Sequence, residues 1–220
     1  MEQTIAIIGG TGQMGGALAL RWARAGLRVI IGSRDAARAA AAAQAIRDKA
    51  PHAAVSGAEM VVAAGAAEIV VLSVPWPAHR AALEAVRAAV QGKILVDVTV
   101  PLAPPRVARV ELPPEGAAAM AAQALLGSEV KVVAAFETVP AHRLAEPDAA
   151  IDCDVLVCGN DKGAREAVVA LVRAAGLDAL HGGGLANAAA AETLAAVQIF
   201  LNGRYRGAAG LRFTGLRSRD

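Results

Sequence analysis

Apolar residues along this chain fall into short continuous runs, separated by longer stretches in which they recur at helical spacing. Ile5–Ile8, Arg28–Ile31, Ile69–Ser73 and Ile94–Asp97 predict strands, with a weaker one at Val55–Ser56. Between them, Gln13–Ala25, Asp35–Lys49, Glu59–Ala64 and a segment from about Ala78 to Val90 predict helices. Alanine, the strongest helix former, fills Asp35–Lys49, and Pro51 ends it. Asp35 reads as the cap of that helix, while Pro75 and Pro77 read as halting the fourth strand. Strands alternating with helices in this way predict an α/β fold of Rossmann type. Its sheet is doubly wound and mostly parallel, with every strand's C-terminal end on one ligand-binding edge.

After Asp97 the rhythm breaks. Pro101, Pro104, Pro105, Pro113 and Pro114 mark a loop unsuited to helix or central strand. A helix at Ala117–Leu126, strands at Val130–Ala135 and Val155–Val157, and a helix at Gly163–Ala175 capped by Asn160 or Asp161 follow. Leu177–Leu180 predicts a last strand and Ala188–Leu201 a long final helix. There is no repeat and no flexible linker. The expected organisation is an NADP-binding Rossmann domain over 1–127 and a small C-terminal α/β extension over 128–220 that continues the sheet.

Composition narrows the functional class. Hydrophobic residues make up 55% of the chain, but much of that is alanine, and no apolar run approaches the roughly 20 residues of a membrane span. The run Ile5–Ile8 leads directly into glycines, with no basic flank or cleavage site of a signal peptide, so a soluble, cytoplasmic protein is expected. A net charge of +2 with one tyrosine and three phenylalanines gives no nucleic-acid footprint. The four histidines, His52, His79, His142 and His181, show no zinc spacing. Cys153 and Cys158 would point to opposite faces of one strand, which predicts reduced thiols and no metal site.

The chemistry starts where the first strand ends. Gly10-Thr11-Gly12-Gln13-Met14-Gly15 is a G-x-G-x-x-G segment between a strand and a helix. The first glycine permits the tight turn, the second admits a pyrophosphate, and the third lets helix and strand pack closely. The phosphates of a dinucleotide would sit on the free N–H groups of the helix N-terminus. The second strand then separates the two nicotinamide cofactors. An NAD site usually carries an acidic residue about 20 residues past the motif, but here the chain reads Gly32-Ser33-Arg34, with Arg38 one turn on. A hydroxyl and guanidinium groups suit a 2′-phosphate, so NADP is expected.

The residue inventory excludes several NADP chemistries. The only tyrosine, Tyr205, has Ala209 four residues on, so the Tyr-x-x-x-Lys of short-chain dehydrogenases is absent. None of the lysines, Lys49, Lys93, Lys131 and Lys162, falls in the final helix, where a β-hydroxyacid dehydrogenase would need one. A hydride-donor site without an obvious proton donor suits an acceptor that performs its own redox chemistry, for which the protein supplies orientation.

Further segments carry a resemblance. Gly9–Gly15, Gly32-Ser33-Arg34, Val74-Pro75-Trp76, Thr138-Val139-Pro140-Ala141, the stretch from Asp152 to Gly159 and Gly210-Leu211-Arg212-Phe213 occur in order over nearly the whole chain. In these the sequence resembles the NADPH-dependent reductases of the deazaflavin coenzyme F420. The resemblance implies that Thr11, Ser33, Arg34 and Arg38 hold the NADP phosphates. It places Val74, Pro75 and Trp76 beside the nicotinamide ribose. It also implies an F420 site formed by Val100, Pro101, Thr138, Val139 and the stretch Ala209-Gly210. The chain departs from the family pattern at Glu137, where histidine is frequent, and across Asp97–Pro101.

Hydride transfer between NADP(H) and F420 is therefore the expected function, with no single catalytic side chain obligatory. The proton for F420 is expected from water or a backbone-ordered network. Glu137 and His142 would be a donor pair for some other small acceptor, and otherwise are solvated loop residues. Two alternatives stay open: an NADP-dependent reductase of another small acceptor (flavin, imine or ketone), and a non-catalytic NADPH-binding module. The final helix carries Leu194, Val197, Ile199, Phe200 and Leu201 over much of its girth, which predicts a homodimer or burial within one subunit.

Overall fold

The structure, a computed structural model, describes residues 3–102, 104, 105, 107–146 and 148–216; the last four residues of the expected 128–220 extension thus lie outside the described residues. The chain runs β1 (Thr4–Ile8), α1 (Gln13–Arg24), β2 (Arg28–Ser33), α2 (Ala36–Lys49), β3 (Val55–Glu59), α3 (Met60–Gly65), β4 (Ile69–Leu72), α4 (Trp76–Val86) and β5 (Ile94–Asp97). It continues through α5 (Ala118–Leu126), β6 (Lys131–Ala134), α6 (Ala141–Leu144), β7 (Asp154–Gly159), α7 (Lys162–Ala174), β8 (Asp178–Gly183), a 3-10 turn (Leu185–Asn187) and α8 (Ala188–Tyr205).

Among the described residues the strands form one eight-stranded sheet in the order β3-β2-β1-β4-β5-β6-β7-β8. The order reverses between β1 and β4, the switch point at which a doubly wound sheet opens a crevice for ligand. Strand β6 pairs in parallel with β5, and β7 pairs with β6 in the one antiparallel ladder, Val133 opposite Gly159. The C-terminal extension is thus continuous with the sheet, as expected, rather than a detached unit.

Because successive side chains on a strand point to opposite faces, the continuous apolar runs supply two cores at once. Ile5, Ile7, Ile31 and Val71 face one layer with α1, α2 and α7. Ala6, Ile8, Val70 and Leu72 face the other, with α3, α4 and α5. The same alternation separates the two free cysteines: Cys153 belongs to the first layer and Cys158 to the second.

Of the local outcomes that differ from the sequence expectation, three bear on the site. Helix α4 begins at Trp76 and takes Pro77 into its first turn, where a missing N–H costs nothing and the fixed φ favours the helix. Strand β2 runs on to Ser33, since Gly32 still pairs with Ile8 and Ser33 with Glu59. The short helix α6 has no signal in the hydrophobic pattern and is held from outside. Buried Arg21 of α1 donates to the carbonyls of Leu144, Glu146 and Ala149, and also to Ala175 at the end of α7.

Candidate active site at the carboxyl edge of the sheet

Two hollows open at the carboxyl ends of the strands. The first, a cleft of about 570 Å3, is lined by the turn after β1 (Gly9, Thr11, Gly12), by Ser33, Arg34 and Arg38 after β2, by Glu59 and Met60 after β3, and by Ser73, Val74 and Pro75 after β4. Its far wall is a stripe of small residues on α4, Ala78, Ala81, Ala82 and Ala85.

The glycine turn is shaped for close approach. Gly9 has a φ of +89°, and a Cβ there would lie 2.1 Å from the Ser73 carbonyl oxygen. A Cβ on Gly15 would meet the Gly9 oxygen at 2.8 Å, which is the close helix–strand packing expected of the third glycine. Gly10 packs on the Ile31 side chain. Helix α1 starts at Gly12 with no side-chain cap, so its first N–H groups are left for an anion. These features fit a dinucleotide pyrophosphate.

The basic end of the cleft is equally defined. Asp35 and Glu59 are both helix caps: the Asp35 carboxylate accepts from the N–H of Ala37 and Arg38, and that of Glu59 from Val61. Arg34 and Arg38 line the cleft beside them.

The second hollow, about 420 Å3, lies on the other side of the glycine turn. Gln13 lines it, although Thr11 and Gly12 belong to the first cleft. Its walls are Val100 and Leu102 after β5, Glu137 to His142 after β6, and Ala195, Gln198, Ile199, Asn202 and Ala209 from α8 and beyond. The Gln198 amide donates to the carbonyls of Thr138 at 3.1 Å and Ala209 at 3.3 Å, and Asn202 Oδ1 accepts the N–H of Ala209 at 2.6 Å. Thr99 Oγ1 donates to the Val74 carbonyl, joining the loop behind the second hollow to the wall of the first.

Beneath the second hollow lies a buried group of titratable residues. His79 Nε2 meets Asp97 Oδ2 at 2.6 Å, and both side chains are buried. Glu192 of α8 accepts from the first N–H groups of α5, Ala118 at 2.6 Å and Ala119 at 3.2 Å. Burial, only partly offset by those two bonds, pushes the Glu192 carboxyl up to about 7. Glu137 is buried as well, against the expectation of a solvated loop residue, and its Oε1 has no partner among the described residues. Burial first, then the neighbouring Glu192 and Asp97 carboxylates, hold its pKa well above the usual range, opposed in part by its own backbone N–H. Burial, the largest cause, raises the Cys158 thiol to about 12, so it is no nucleophile.

The expected site residues divide as follows. Thr11, Gly12, Ser33, Arg34, Arg38, Val74 and Pro75 line the first cleft, with Gly10 and Gly15 shaping its floor. Met14 instead packs on the core, and Gln13 serves the second hollow. Trp76 lies apart from both. Its ring is tilted over His79 with centroids 5.0 Å apart, in a separate depression with Pro113 and Pro114. Val100, Thr138, Val139 and Ala209 line the second hollow with Glu137 and exposed His142. Pro101 is buried beside it, and Gly210 packs on Cys153, where a Cβ would come within 2.6 Å of the cysteine Cβ.

Several lining residues escaped the sequence reading. The alanines of α4 recur at helical spacing, 78, 81, 82 and 85, and could have been read as a face kept small for a ligand. Gln198 and Asn202, four residues apart and the only polar residues from Leu194 to Asn202, were a comparable signal.

Residues 4–101 match the protein family described as coenzyme F420-dependent NADP oxidoreductase. The chain is 40% identical to the F420-dependent NADP reductase of Methanothermobacter thermautotrophicus, over 98% of this chain and 97% of that one. It is 36% identical to the enzyme of the same description from Methanocaldococcus jannaschii, over 96% and 98%. The crystal structure of a candidate F420-dependent NADP reductase from Arthrobacter sp. FB24 superimposes with a TM-score of 0.82 at 30% identity, covering 96% of this chain and 99% of that one.

Proposed function

The chain belongs to the family of coenzyme F420-dependent NADP oxidoreductases, and we propose that it transfers a hydride between NADP(H) and F420 across its glycine turn. One observation carries this reading: Thr11 and Gly12 line one hollow and Gln13 the other, so two ligands bound there meet at a single turn. When bound, the two coenzymes supply the redox chemistry, the nicotinamide exchanging a hydride with the deazaflavin. The protein's part is to hold the reacting rings in register and exclude competing acceptors.

In this reading Thr11, Gly12 and the free N–H groups of α1 take the pyrophosphate. Ser33, Arg34 and Arg38 take the 2′-phosphate, and Val74 and Pro75 border the nicotinamide ribose. Val100, Pro101, Thr138, Val139, Ala209 and Gly210 form or back the deazaflavin site. Residues 1–127 thus bind NADP, and 128–220 contribute most of the acceptor site.

The reading includes a homodimer in the cytoplasm. Val197, Phe200 and Leu201 are 44%, 59% and 37% exposed on α8, an apolar surface that a second copy would cover. Two unpaired cysteines suit a reducing compartment. Among the described residues no helix is long and apolar enough to cross a membrane.

The test is a label transfer. NADPH deuterated at C4 on the transferred face should deliver deuterium to C5 of F420 without dilution by solvent protons. Turnover with flavins, imines or ketones but not with F420 would replace the acceptor, and binding of NADPH without turnover on any of them would leave only a binding module.

A further inference from the structure

The second hollow contains a carboxyl group that hydride transfer by itself does not use. Glu137 is 7% exposed, lines the hollow and leaves Oε1 unpartnered. A buried polar atom without a partner is costly in a folded protein and points to a bond made to something else.

The backbone around it is strained in a way that sets its position. Phe136, immediately before it, has a φ of +75°, a conformation that bulky side chains rarely adopt. Two contacts hold Phe136 there. Its ring meets Trp22 edge-on, with centroids 5.9 Å apart, and Trp22 is itself anchored by its indole N–H to the Leu171 carbonyl at 2.8 Å. The Phe136 carbonyl accepts the N–H of Val139 at 3.1 Å, closing a turn. The reversed residue turns the chain at the carboxyl end of β6 and brings Glu137 to Val139 together into the wall of the hollow.

We propose that Glu137, in its neutral form, is the proton donor to the acceptor ring during hydride transfer. This rests on the F420 reading given above. In the direction of F420 reduction, the C4–H bond of NADPH breaks and its electron pair forms the C5–H bond of the deazaflavin. The displaced electrons reach N1, and the Glu137 O–H bond breaks as N1–H forms. The products are NADP+, reduced F420 and the Glu137 carboxylate, which regains a proton from water at the mouth of the hollow. In the reverse direction the carboxylate accepts that proton.

The groups facing Glu137 from the surrounding elements favour the neutral acid at rest. Asp97 at the end of β5 and Glu192 on α8 are acidic and disfavour a further negative charge. Cys158 on β7 is held as a thiol. His142 of α6 shares the wall of the hollow, and His79 is engaged by Asp97.

The experiment compares wild type, Glu137→Gln and Glu137→Asp. In wild type the single-turnover rate of F420 reduction should fall as pH rises through the Glu137 pKa, because the donor is lost. Glu137→Gln, which keeps size and polarity but has no acidic proton, should lower that rate by about 10²- to 10⁴-fold and abolish the pH limb. Glu137→Asp should keep the limb at a reduced rate. Affinities for NADPH and F420 should stay within about threefold in both variants. Independently of turnover, the infrared spectrum of the ligand-free protein at neutral pH should show a protonated-carboxyl stretch that Glu137→Gln removes. A Glu137→Gln rate within about threefold of wild type, an unchanged pH limb, a loss of rate explained by loss of F420 affinity, or absence of the infrared band would each overturn the assignment. If wild type itself fails to reduce F420, the acceptor reading has failed, and that is seen before any variant is made.

Discussion

Asp35 Oδ1 accepts the backbone N–H of Arg38 at 3.2 Å, so this carboxylate bordering the first cleft is held as a helix cap. Glu59, the other acid bordering the cleft, caps α3 in the same way. That leaves Arg34 and Arg38 as the cationic side chains lining the cleft, proposed above to hold the 2′-phosphate. Replacing Arg34 with alanine removes a charge-assisted contact worth about 1.5–3 kcal/mol, and NADP affinity should fall roughly ten- to a hundredfold. NADH affinity should barely change. Titration calorimetry with both cofactors checks this, and equal weakening of the two would show that Arg34 does not read the 2′-phosphate.

Gly9, which lies outside the G-x-G-x-x-G spacing, should be the least tolerant glycine of the turn. Gly9→Ala forces a Cβ onto the Ser73 carbonyl and a side chain into a left-handed conformation, and should destabilise the fold by about 2 kcal/mol or more. At Gly12 a Cβ would meet the Gly9 oxygen at 3.3 Å, a tight contact that a small shift relieves, so Gly12→Ala should cost less stability than Gly9→Ala and mainly weaken NADP. Urea unfolding of the two variants, paired with NADP titration, separates the effects. Equal stability losses would contradict the geometry.

Arg21 is a buried structural cation rather than a ligand for the cofactor. Its replacement by methionine leaves the Leu144, Ala149 and Ala175 carbonyls without this donor, and should cost about 2–4 kcal/mol of stability. Because α6 borders the second hollow, F420 affinity should fall more than NADP affinity. A variant as stable as wild type would show that α6 holds itself.

Glu192 carries a pH dependence of known sign. Its folded pKa, about 7, lies above the roughly 4.3 of an unfolded glutamate. The folded state therefore binds the extra proton between those values. The associated stability is complete below about pH 4.3 and is lost as pH rises to about 7. In Glu192→Gln, the slope of unfolding free energy against pH over that window should change by up to about 1.4 kcal/mol per unit. Parallel pH–stability curves for wild type and variant would show that Glu192 is charged throughout.

Light scattering at micromolar concentration should give the mass of a dimer. Phe200→Glu, on the exposed apolar side of α8, should give a folded monomer. A monomeric wild type would mean that this apolar face stays uncovered.

Most strands were legible because a parallel sheet buries both faces, and runs such as Ile5–Ile8 and Ile94–Asp97 have no other ready use. Helix ends were legible where a short polar side chain must satisfy free N–H groups, as Asp35 and Asp161 do. The strand halts before Pro75 and Pro77 as expected, but Pro77 also lies in the first turn of α4, which starts two residues earlier than the pattern predicts. The local pattern does not show where the Trp76 ring lies: it rests against His79, outside both hollows.

The sequence by itself determined the doubly wound class, the glycine turn and the basic end of the first cleft. These depend on periodicity and on residues within a few positions of one another, where the physics is local. Only the tertiary structure decided which polar groups are buried. Glu137 reads in the sequence like any loop acid. It becomes an unpartnered buried carboxyl because Asp97 and Glu192 are brought beside it from 40 residues before and 55 residues after. Desolvation depends on everything packed around a group, whatever its distance along the chain, so no local pattern could have shown it.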